Sequence, residues 1–179
     1  MLKYVSPDSN PYRSRGADWR PYIVYRLGRF YLDYIEALNE IDPNNEDIKI
    51  YWDRIRSRAG LPSIFDTYPN IKGNKELQLE YILRERQIEL AFEGDRYFTT
   101  RRRWIAHTTD TERDEAHRRF GEGGPMYGLN VTVGNSFSDT EFYQRTMFEE
   151  RVYDMKMNIF PIEQSEMDRN KSMVQNPGW

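Results

Sequence analysis

The sequence of 179 residues contains no cysteine. Without a thiol the chain cannot form disulfides, use thiolate catalysis or build a cysteine-ligated zinc site, and it offers no lipidation cysteine. Histidine is almost as scarce, with only His107 and His117 in a polar stretch. Nothing in their spacing suggests convergent metal ligands, so we interpret both as solvated surface residues. The sequence therefore predicts no metal and no cofactor.

Long apolar runs are also missing. No stretch approaches the roughly 20 apolar residues that a membrane span requires, and the segment 1–7 lacks the apolar core of a signal peptide. Taken literally, this sequence carries no export signal of its own.

The sequence also lacks a strong net charge of either sign, because its net charge is only −3. No overall basic field exists to hold a phosphate backbone, so we expect no nucleic-acid partner.

Apolar and aromatic residues are plentiful enough for one folded domain. Hydrophobic residues make up 38% of the chain and aromatic residues 15%, with 13 tyrosines. We interpret residues 1–179 as a single unit. Within it, composition predicts an extended lead-in over 1–20, a helical region over 21–104 and an irregular region with short strands over 105–179.

Helical spacing marks the first two elements. Apolar residues recur every three or four positions from Pro21 to about residue 40, and Pro21 suits a first helical turn. Capping residues at 42–45 end this helix and start a second one, which runs to Gly60. The two predict a helical hairpin, followed by a loop over 63–74.

A long helix is predicted over 75–104, where no proline occurs. Its wheel has two apolar faces, which predicts burial on two sides. One face holds Leu79, Ile82, Leu83, Leu90 and Tyr97, and the other holds Leu77, Tyr81, Ile88 and Phe92. Gly94 lies inside this stretch at a cost of about 1 kcal/mol relative to alanine, which suggests close approach by another segment.

A charged seam lies between these two faces. It consists of Glu85, Arg86, Glu89, Glu93 and Arg96. Paired carboxylates can act as general acid and base in glycoside hydrolysis, but catalytic carboxylates converge across a cleft. These acids follow one helix and alternate with arginines, so we interpret the five as a structural ion-pair network that holds the helix to its neighbours.

The C-terminal half is harder to interpret. Alternation predicts a short strand over 127–133, after a glycine-rich loop at 121–124. The segments 151–155 and 157–162 are predicted to form an extended pair, with Pro161 restricting them to an edge. A short helix is expected over 164–168.

Two further patterns concern binding. The run Arg101–Arg103 with Trp104 resembles a nucleic-acid patch, but cations at a helix C-terminus explain it better. Aromatic side chains outside the core can contact a ligand with their ring faces. Trp104 and Tyr127 lie outside the helical pattern and are the candidate ligand contacts. The other notable aromatics are assigned to the core: Tyr31, Tyr34, Tyr51, Trp52, Tyr81 and Phe92.

Four blocks, taken in order, resemble the SusD/RagB family. They are the arginine-led helix 25–40 ending in Glu-Ala-Leu-Asn-Glu, the exit Ile55–Pro62, the block Arg84–Phe98 and the C-terminus with Phe160-Pro161 and Gln175-Asn176-Pro177-Gly178-Trp179. Thr99 and Thr100 depart from the family pattern. Members are also several times longer and begin with a lipoprotein signal, so we interpret this chain as the C-terminal portion of such a protein.

The resemblance implies a mainly α fold, built from a tetratricopeptide-like helical hairpin and a long helix, with irregular loops and minor β content. It also implies non-catalytic binding of oligosaccharides at the bacterial outer-membrane surface. The expected partners are a SusC-like TonB-dependent transporter, an oligosaccharide and the missing N-terminal portion of the same protein. Two alternatives stay open: a tetratricopeptide-like interaction module and, less favoured, a glycoside hydrolase.

Overall fold

The computed structural model describes residues 24–107, 124–130 and 144–179. Helices dominate this part of the chain: α1 Leu27–Ile41, α2 Glu46–Arg58, α3 Ile64–Thr67, α4 Lys75–Glu89, α5 Asp95–Arg102 and α6 Gln164–Arg169. The strands β1 Gly124–Leu129 and β2 Arg145–Arg151 pair antiparallel. Short 3-10 turns cover Pro69–Ile71 and Met155–Asn158. The predicted mainly α class is confirmed, while the predicted lead-in over 1–20 lies outside the described residues.

Helix α1 starts later than the sequence predicted. The spacing placed its start near Pro21, but Arg26 is the N-cap, with extended backbone angles of φ −141° and ψ 157°. Val24, which the spacing included in the apolar face, is 74% exposed. The physical reason is that the Arg26 side chain reaches across to Glu89 and Glu93. These bonds fix the residue at the helix entrance instead of inside the helix.

The turn between α1 and α2 follows the predicted capping chemistry. The Asn45 side chain accepts a hydrogen bond from the Asp47 amide at 3.0 Å, which satisfies one of the free donors at the start of α2. At the other end of α2, Gly60 has φ +73° and the Leu61 amide donates to the Arg56 carbonyl at 2.9 Å. The predicted second helix is therefore confirmed.

The predicted loop over 63–74 contains helical turns. Asp53 of α2 accepts hydrogen bonds from the Ser63 hydroxyl at 2.8 Å and from the Ile64 amide at 3.0 Å. These bonds start α3, and the adjacent 3-10 turn carries Ile71. Ile64 and Ile71 are 1% and 0% exposed. The loop prediction was wrong because burial of two isoleucines stabilises local helical turns that the short sequence pattern does not reveal.

The hydrophobic core lies between α1, α2, α3 and α4. Its buried members are Leu32, Ile35, Ile48, Trp52, Ile55, Ile64, Ile71, Ile82 and Leu90. Tyr31, Tyr51 and Tyr81 pack against this cluster, as predicted for these aromatics. Tyr34 is 41% exposed and donates its hydroxyl to Asp47 at 2.8 Å, so it lies at the margin of the core.

A buried amide pair joins α1 to α4. Gln78 Nε2 donates to Asn39 Oδ1 and to the Pro43 carbonyl, both at 2.8 Å. Asn39 Nδ2 in turn donates to the Lys75 carbonyl at 2.8 Å, and the Gly73 amide donates to Gln78 Oε1 at 3.2 Å. Asn39 and Gln78 are both 0% exposed. Their mutual satisfaction removes the cost of burying two polar side chains and fixes the register of the two helices.

The predicted single helix over 75–104 is wrong. Helix α4 ends at Glu89 and α5 begins at Asp95. Between them Phe92 has φ +67° and Gly94 has φ +73°, so both lie in the left-handed region. The Glu89 carbonyl accepts a hydrogen bond from Arg26 Nη2 at 2.5 Å. A group from a distant segment therefore satisfies the end of α4, and the chain turns into a second helix.

The two-sided burial predicted for this stretch is wrong for three residues. Ile82, Leu83 and Leu90 are buried, but other members of the two predicted apolar faces are exposed in the described structure: Ile88 at 62%, Phe92 at 80% and Tyr97 at 39%. The break explains the exposure of Phe92 and Tyr97, because residues beyond Leu90 no longer continue the faces that a straight helix would present. It does not explain Ile88, which lies within α4 before the break.

The strand pair differs from the predicted extended segments. Met155–Asn158 forms a 3-10 turn, so the predicted pairing of 151–155 with 157–162 is wrong. The true partner of β1 is β2, with Gly124 opposite Arg151 and Leu129 opposite Arg145. A bulge occurs where Met126 pairs with Glu149 and Tyr127 pairs with Met147, which leaves Phe148 without an opposite residue. Positions 131–133 of the predicted strand lie outside the described residues.

The C-terminal tail clasps the extended segment before α6. The Gln175 side chain accepts from the Ile162 amide at 2.8 Å and donates to the Ile162 carbonyl at 2.9 Å. Trp179 Nε1 donates to the carbonyls of Lys156 and Ile159, each at 3.0 Å. The Gln-Asn-Pro-Gly-Trp ending therefore has a structural role.

The short helix predicted at 164–168 is confirmed as α6. None of the described helices is long and apolar enough to span a membrane.

Candidate ligand-binding site

The two aromatics proposed from the sequence lie at separate places. Trp104 follows α5 with φ +55°, is 47% exposed and meets the His107 ring edge-on at 6.2 Å between centroids. Tyr127 lies on β1, is 40% exposed and has the Arg145 guanidinium 3.7 Å from its ring centroid. They belong to different segments, and within the described part of the chain no contact joins the two side chains.

A different set of residues surrounds a cavity with a volume of about 580 Å³. One wall comes from α5 and the other from the end of β2 and the segment after it. The lining residues are Arg96, Tyr97, Arg101, Glu149, Glu150, Arg151, Val152 and Tyr153. Neither Trp104 nor Tyr127 lines it. Two segments about 50 residues apart in sequence thus converge on one concave surface.

Helical spacing places Tyr97 and Arg101 on the same side of α5. The Arg101 guanidinium lies 3.6 Å from the centroid of the Tyr97 ring, and Nη1 donates to the Tyr97 carbonyl at 3.1 Å. The same guanidinium lies 5.5 Å from the ring of Tyr153 on the opposite wall. Tyr153 is held by its hydroxyl, which donates to the Met157 carbonyl at 3.0 Å. Arg101 therefore links the two walls through cation–π contacts.

The charges of the cavity are mixed. The described lining includes three arginines, Arg96, Arg101 and Arg151, and two glutamates, Glu149 and Glu150. The three arginines are half-buried, whereas the two glutamates are exposed. Arg101 Nε is buried and has no hydrogen-bond partner within the described part of the chain. Such a cavity can offer ring faces to an apolar surface and guanidinium donors to oxygen atoms of a ligand.

The glutamates that invited a catalytic hypothesis are held by arginines. Glu85 pairs with Arg56 at 3.1 Å, and Glu89 pairs with Arg26 at 2.5 Å and with Arg58 at 2.6 Å. Burial opposes the charged form of Arg26, but hydrogen bonds to Glu93 and Glu89 raise its pKa above the ordinary value. These ion pairs run from α4 and the α4–α5 connection to other elements. The arrangement suits a structural role more than proton transfer.

Arg86 and Arg96 of the same seam have different surroundings. Arg86 is 4% exposed and donates to Asp95 and Asp33. Burial opposes its charged form, yet these carboxylates raise the pKa of Arg86 above its ordinary value. Arg96 instead lines the cavity. The charged seam predicted for a straight helix is therefore not one continuous network. Arg86 belongs to a buried cluster, whereas Arg96 lines the candidate site.

The basic run after Thr100 is largely occupied by acids of α1. Arg102 pairs with Glu36 at 2.7 Å, and Arg103 pairs with Glu36 at 2.5 Å and with Glu40 at 2.6 Å. Burial lowers the pKa of Arg103, but hydrogen bonds to Glu40 and the charge of Glu36 raise it more. Two of the three arginines therefore dock α5 against α1 and do not form a phosphate-binding patch.

His107 is not a solvated surface residue as the sequence suggested. It is half-buried, and its Nδ1 is shielded from solvent without a hydrogen-bond partner in the described structure. The ring is covered partly by Trp104. His117 lies outside the described residues. Among the described residues, no group of three or more histidine, aspartate or glutamate side chains is arranged to hold a metal ion.

The sequence could have indicated part of this cavity. Tyr97 and Arg101 are four residues apart, a spacing at which side chains meet on a helix. Tyr97 was instead assigned to a buried face because the helix was assumed to be straight. Tyr153 belongs to a distant segment, and no local pattern places it opposite α5.

Comparison with known proteins identifies the class of protein. The SusD family model matches residues 1–179. The chain belongs to the SusD family, which confirms the resemblance seen in the sequence. Among curated protein sequences, none matches this chain.

Solved structures share the fold. A SusD-like protein from Bacteroides fragilis NCTC 9343 is 24% identical with a TM-score of 0.64, over 88% of this chain and 26% of that chain. BT4246 is 28% identical with a TM-score of 0.63, over 89% of this chain and 24% of that chain. Its selenomethionine form is 27% identical with a TM-score of 0.65, over 89% and 25%. The present chain spans about a quarter of the length of these structures.

Proposed function

We propose that this chain is the C-terminal portion of a glycan-binding protein at the bacterial outer-membrane surface, which delivers oligosaccharides to a SusC-like TonB-dependent transporter. Membership of the SusD family supports the proposal, because proteins of this family generally bind nutrients without catalysing a reaction. Equilibrium binding and handover require no nucleophile, general acid or metal. The chain itself would then contribute a folded scaffold and the binding cavity between α5 and the segment 149–153.

The single observation that carries the proposal is the cavity between Tyr97 and Tyr153. Its volume of about 580 Å³ falls within the roughly 300–1,000 Å³ typical of small-molecule sites. Tyrosine rings can cover the apolar face of a sugar ring, while guanidinium groups donate to its oxygen atoms. The Arg101 guanidinium lies 3.6 Å from the centroid of the Tyr97 ring and 5.5 Å from that of Tyr153, so it offers donors next to both rings.

The ion pairs and positions of the glutamates support binding over hydrolysis. Glu85 and Glu89 each lie within 3.1 Å of a guanidinium nitrogen and neither lines the cavity. The cavity's own acids, Glu149 and Glu150, are exposed neighbours on β2, whereas glycosidases place two carboxylates on opposite sides of the scissile bond. We therefore propose that the site binds and releases its ligand unchanged.

The proposed partners are consistent with the apolar surface of the chain. Val24, Leu27 and Phe30 near the start of α1 are 74%, 61% and 56% exposed. Exposed apolar side chains of this kind are typical of surfaces covered by other protein segments. We propose that the remainder of a longer SusD-family protein covers part of them and that a transporter contacts another part. Association of the isolated chain with itself at high concentration is the expected consequence.

Calorimetric titration of the 179-residue chain with a panel of oligosaccharides tests the proposed function. Binding without released reducing sugar is expected, and Tyr153→Ala should weaken it by about tenfold, in line with an aromatic contact of roughly 1.5 kcal/mol. Tyr25→Ala is the matched control, because Tyr25 is 50% exposed and lies outside the cavity. Absence of binding to every oligosaccharide, or steady release of reducing sugar, contradicts the proposal.

The alternative interaction module is favoured by one observation. A second cavity of about 260 Å³ lies beside the α1–α2 turn, and Ile50, Phe65, Lys49 and Lys72 are among its lining residues. Ile50 and Phe65 offer apolar contacts, and the ammonium groups of Lys72 and of Lys49, which also pairs with Asp53, would suit an acidic peptide. Phe65→Ala should abolish peptide binding under this alternative and leave oligosaccharide binding unchanged.

A further inference from the structure

The described lining of the cavity contains more arginines than acidic residues. It has three arginines and two glutamates, whereas the whole chain has a net charge of −3. The three guanidinium groups come from both walls, with Arg96 and Arg101 on α5 and Arg151 at the end of β2. Both walls of the cavity therefore present guanidinium groups to a ligand.

The arginines and the glutamates of this lining differ in burial. Arg96, Arg101 and Arg151 are half-buried, whereas Glu149 and Glu150 are exposed. Charges in contact with water are screened more strongly than charges partly removed from it. A ligand inside the cavity therefore interacts more strongly with the guanidinium groups than with the two carboxylates.

Arg101 has one donor, its Nε, that no described residue uses. Its Nη1 is bonded to the Tyr97 carbonyl, but Nε is buried without a hydrogen-bond partner in the described part of the chain. A buried unsatisfied donor is unfavourable until an acceptor reaches it. Guanidinium groups bind carboxylate and sulfate oxygens through paired hydrogen bonds, which a sugar hydroxyl cannot match.

We propose that the cavity between α5 and the segment 149–153 recognises an anionic substituent, a carboxylate or a sulfate, on a saccharide whose ring contacts Tyr97 and Tyr153. This inference rests on the proposed function and specifies its ligand. The guanidinium of Arg101, held between the two rings, binds the anion next to the ring contact. Glu149 and Glu150 are exposed to solvent.

Matched pairs of oligosaccharides test the inference by calorimetry with the 179-residue chain. The probes are a neutral galactose oligomer, the corresponding galacturonic acid oligomer and a sulfated galactose oligomer of equal length. We expect the acidic oligomers to bind at least about tenfold more tightly at low salt, as expected for charge-assisted hydrogen bonds. Their advantage should decrease as salt is raised, because screening weakens only the ionic contribution.

Two variants test whether Arg101 causes the preference for acidic oligomers. They distinguish this effect from unfolding and from a general loss of sugar binding. Arg101→Gln should reduce the advantage of the acidic oligomers to about threefold or less, while affinity for the neutral oligomer changes little. Arg102→Gln is the control, because Arg102 is adjacent on α5, is 51% exposed on its side chain and pairs with Glu36 outside the cavity. Thermal unfolding of both variants confirms that each is folded.

The outcomes discriminate between the two proposals. Equal affinity for neutral and acidic oligomers, or an acidic preference that Arg101→Gln leaves intact, overturns the inference while the proposed sugar binding stands. Absence of binding to any oligomer overturns the proposed function and the inference together. A preference for sulfate over carboxylate, or the reverse, supports the inference and identifies the anion.

Discussion

Arg86 binds Asp95 across the break that separates α4 from α5. Its Nε donates to Asp95 Oδ2 at 2.8 Å and its Nη2 donates to Asp95 Oδ1 at 2.7 Å. Thr99 adds a hydroxyl that donates to Asp95 Oδ2 at 2.9 Å. This paired contact fixes the first turn of α5 against the body of α4. Since Tyr97 and Arg101 lie on α5, it also fixes one wall of the candidate site.

The first prediction concerns this contact. Arg86 and Asp95 are 4% and 3% exposed, so Asp95→Asn leaves a buried guanidinium with weakened partners. We expect the free energy of unfolding to fall by about 3 kcal/mol, as when one partner of a buried ion pair is removed. Urea unfolding measures the change. Asp168→Asn, at an exposed site, is the control, and a variant as stable as the parent protein would rule out this role for Asp95.

The second prediction is the pH dependence of the same contact. Burial opposes ionisation of Asp95, but the hydrogen bond from Arg86 and its charge hold the pKa of Asp95 below its ordinary value. Because the pKa is lowered on folding, the stabilisation is complete above the unfolded-state value of about 3.9 and is lost as pH falls through the folded-state value. The stability gap between the parent and Asp95→Asn should stay constant from about pH 7 to pH 5 and narrow below about pH 4. A gap that widens on acidification would contradict this sign.

The third prediction concerns the left-handed residue Phe92. With φ +67° and 80% of the side chain exposed, Phe92 has an unfavourable backbone conformation and little burial. Phe92→Gly should raise the free energy of unfolding by about 0.5 kcal/mol, because glycine adopts this conformation without steric cost. Ile88→Gly is the matched control, since Ile88 is 62% exposed within α4. There the same replacement should lower stability by about 1 kcal/mol. Equal losses at both sites would show that the left-handed conformation is not strained.

The fourth prediction concerns the buried amide pair. Gln78→Leu removes the partner of Asn39 and of the Pro43 carbonyl, which leaves polar groups unsatisfied inside the core. We expect a loss of about 2 kcal/mol in the free energy of unfolding. Gln87→Leu provides the comparison on the exposed side of the same helix, where the change should stay within about 0.5 kcal/mol.

The fifth prediction concerns the C-terminal clasp. Gln175→Ala removes the acceptor of the Ile162 amide. Exchange of that amide with solvent should accelerate by about tenfold, corresponding to roughly 1.4 kcal/mol of local opening energy. Amides of α1 and α4 should keep their protection, because the clasp lies outside the core. Uniform acceleration over the whole chain would mean that the tail contributes to global stability instead.

The sequence predicts those parts of the fold that depend on local chemistry. Asn45, Gly60 and Asn74 flank their helices as capping rules require, and the Asn45 and Asn74 side chains accept hydrogen bonds from the first turns of α2 and α4. The break after α4 is not local. It depends on Arg26, which is distant in sequence, and on a left-handed phenylalanine that no propensity scale favours.

The candidate site likewise combines a feature that local sequence predicts with one that depends on distant residues. The Tyr97–Arg101 spacing is visible in the sequence, whereas the position of Tyr153 depends on how the chain returns to α5 after β2. Trp104 and Tyr127 stood out because they fell outside the helical pattern. That criterion finds exposed aromatics, but it does not find a concave surface, which needs two segments to converge.

The location of bound saccharide is the most direct test of the account. Backbone amide shifts of the 179-residue chain, followed by NMR during titration with the preferred oligosaccharide, should change at Arg96, Tyr97 and Arg101 and at the segment 149–153, with little change elsewhere. Changes centred on Trp104, on Tyr127 or on the cavity beside Phe65, with the α5 amides unaffected, would contradict it.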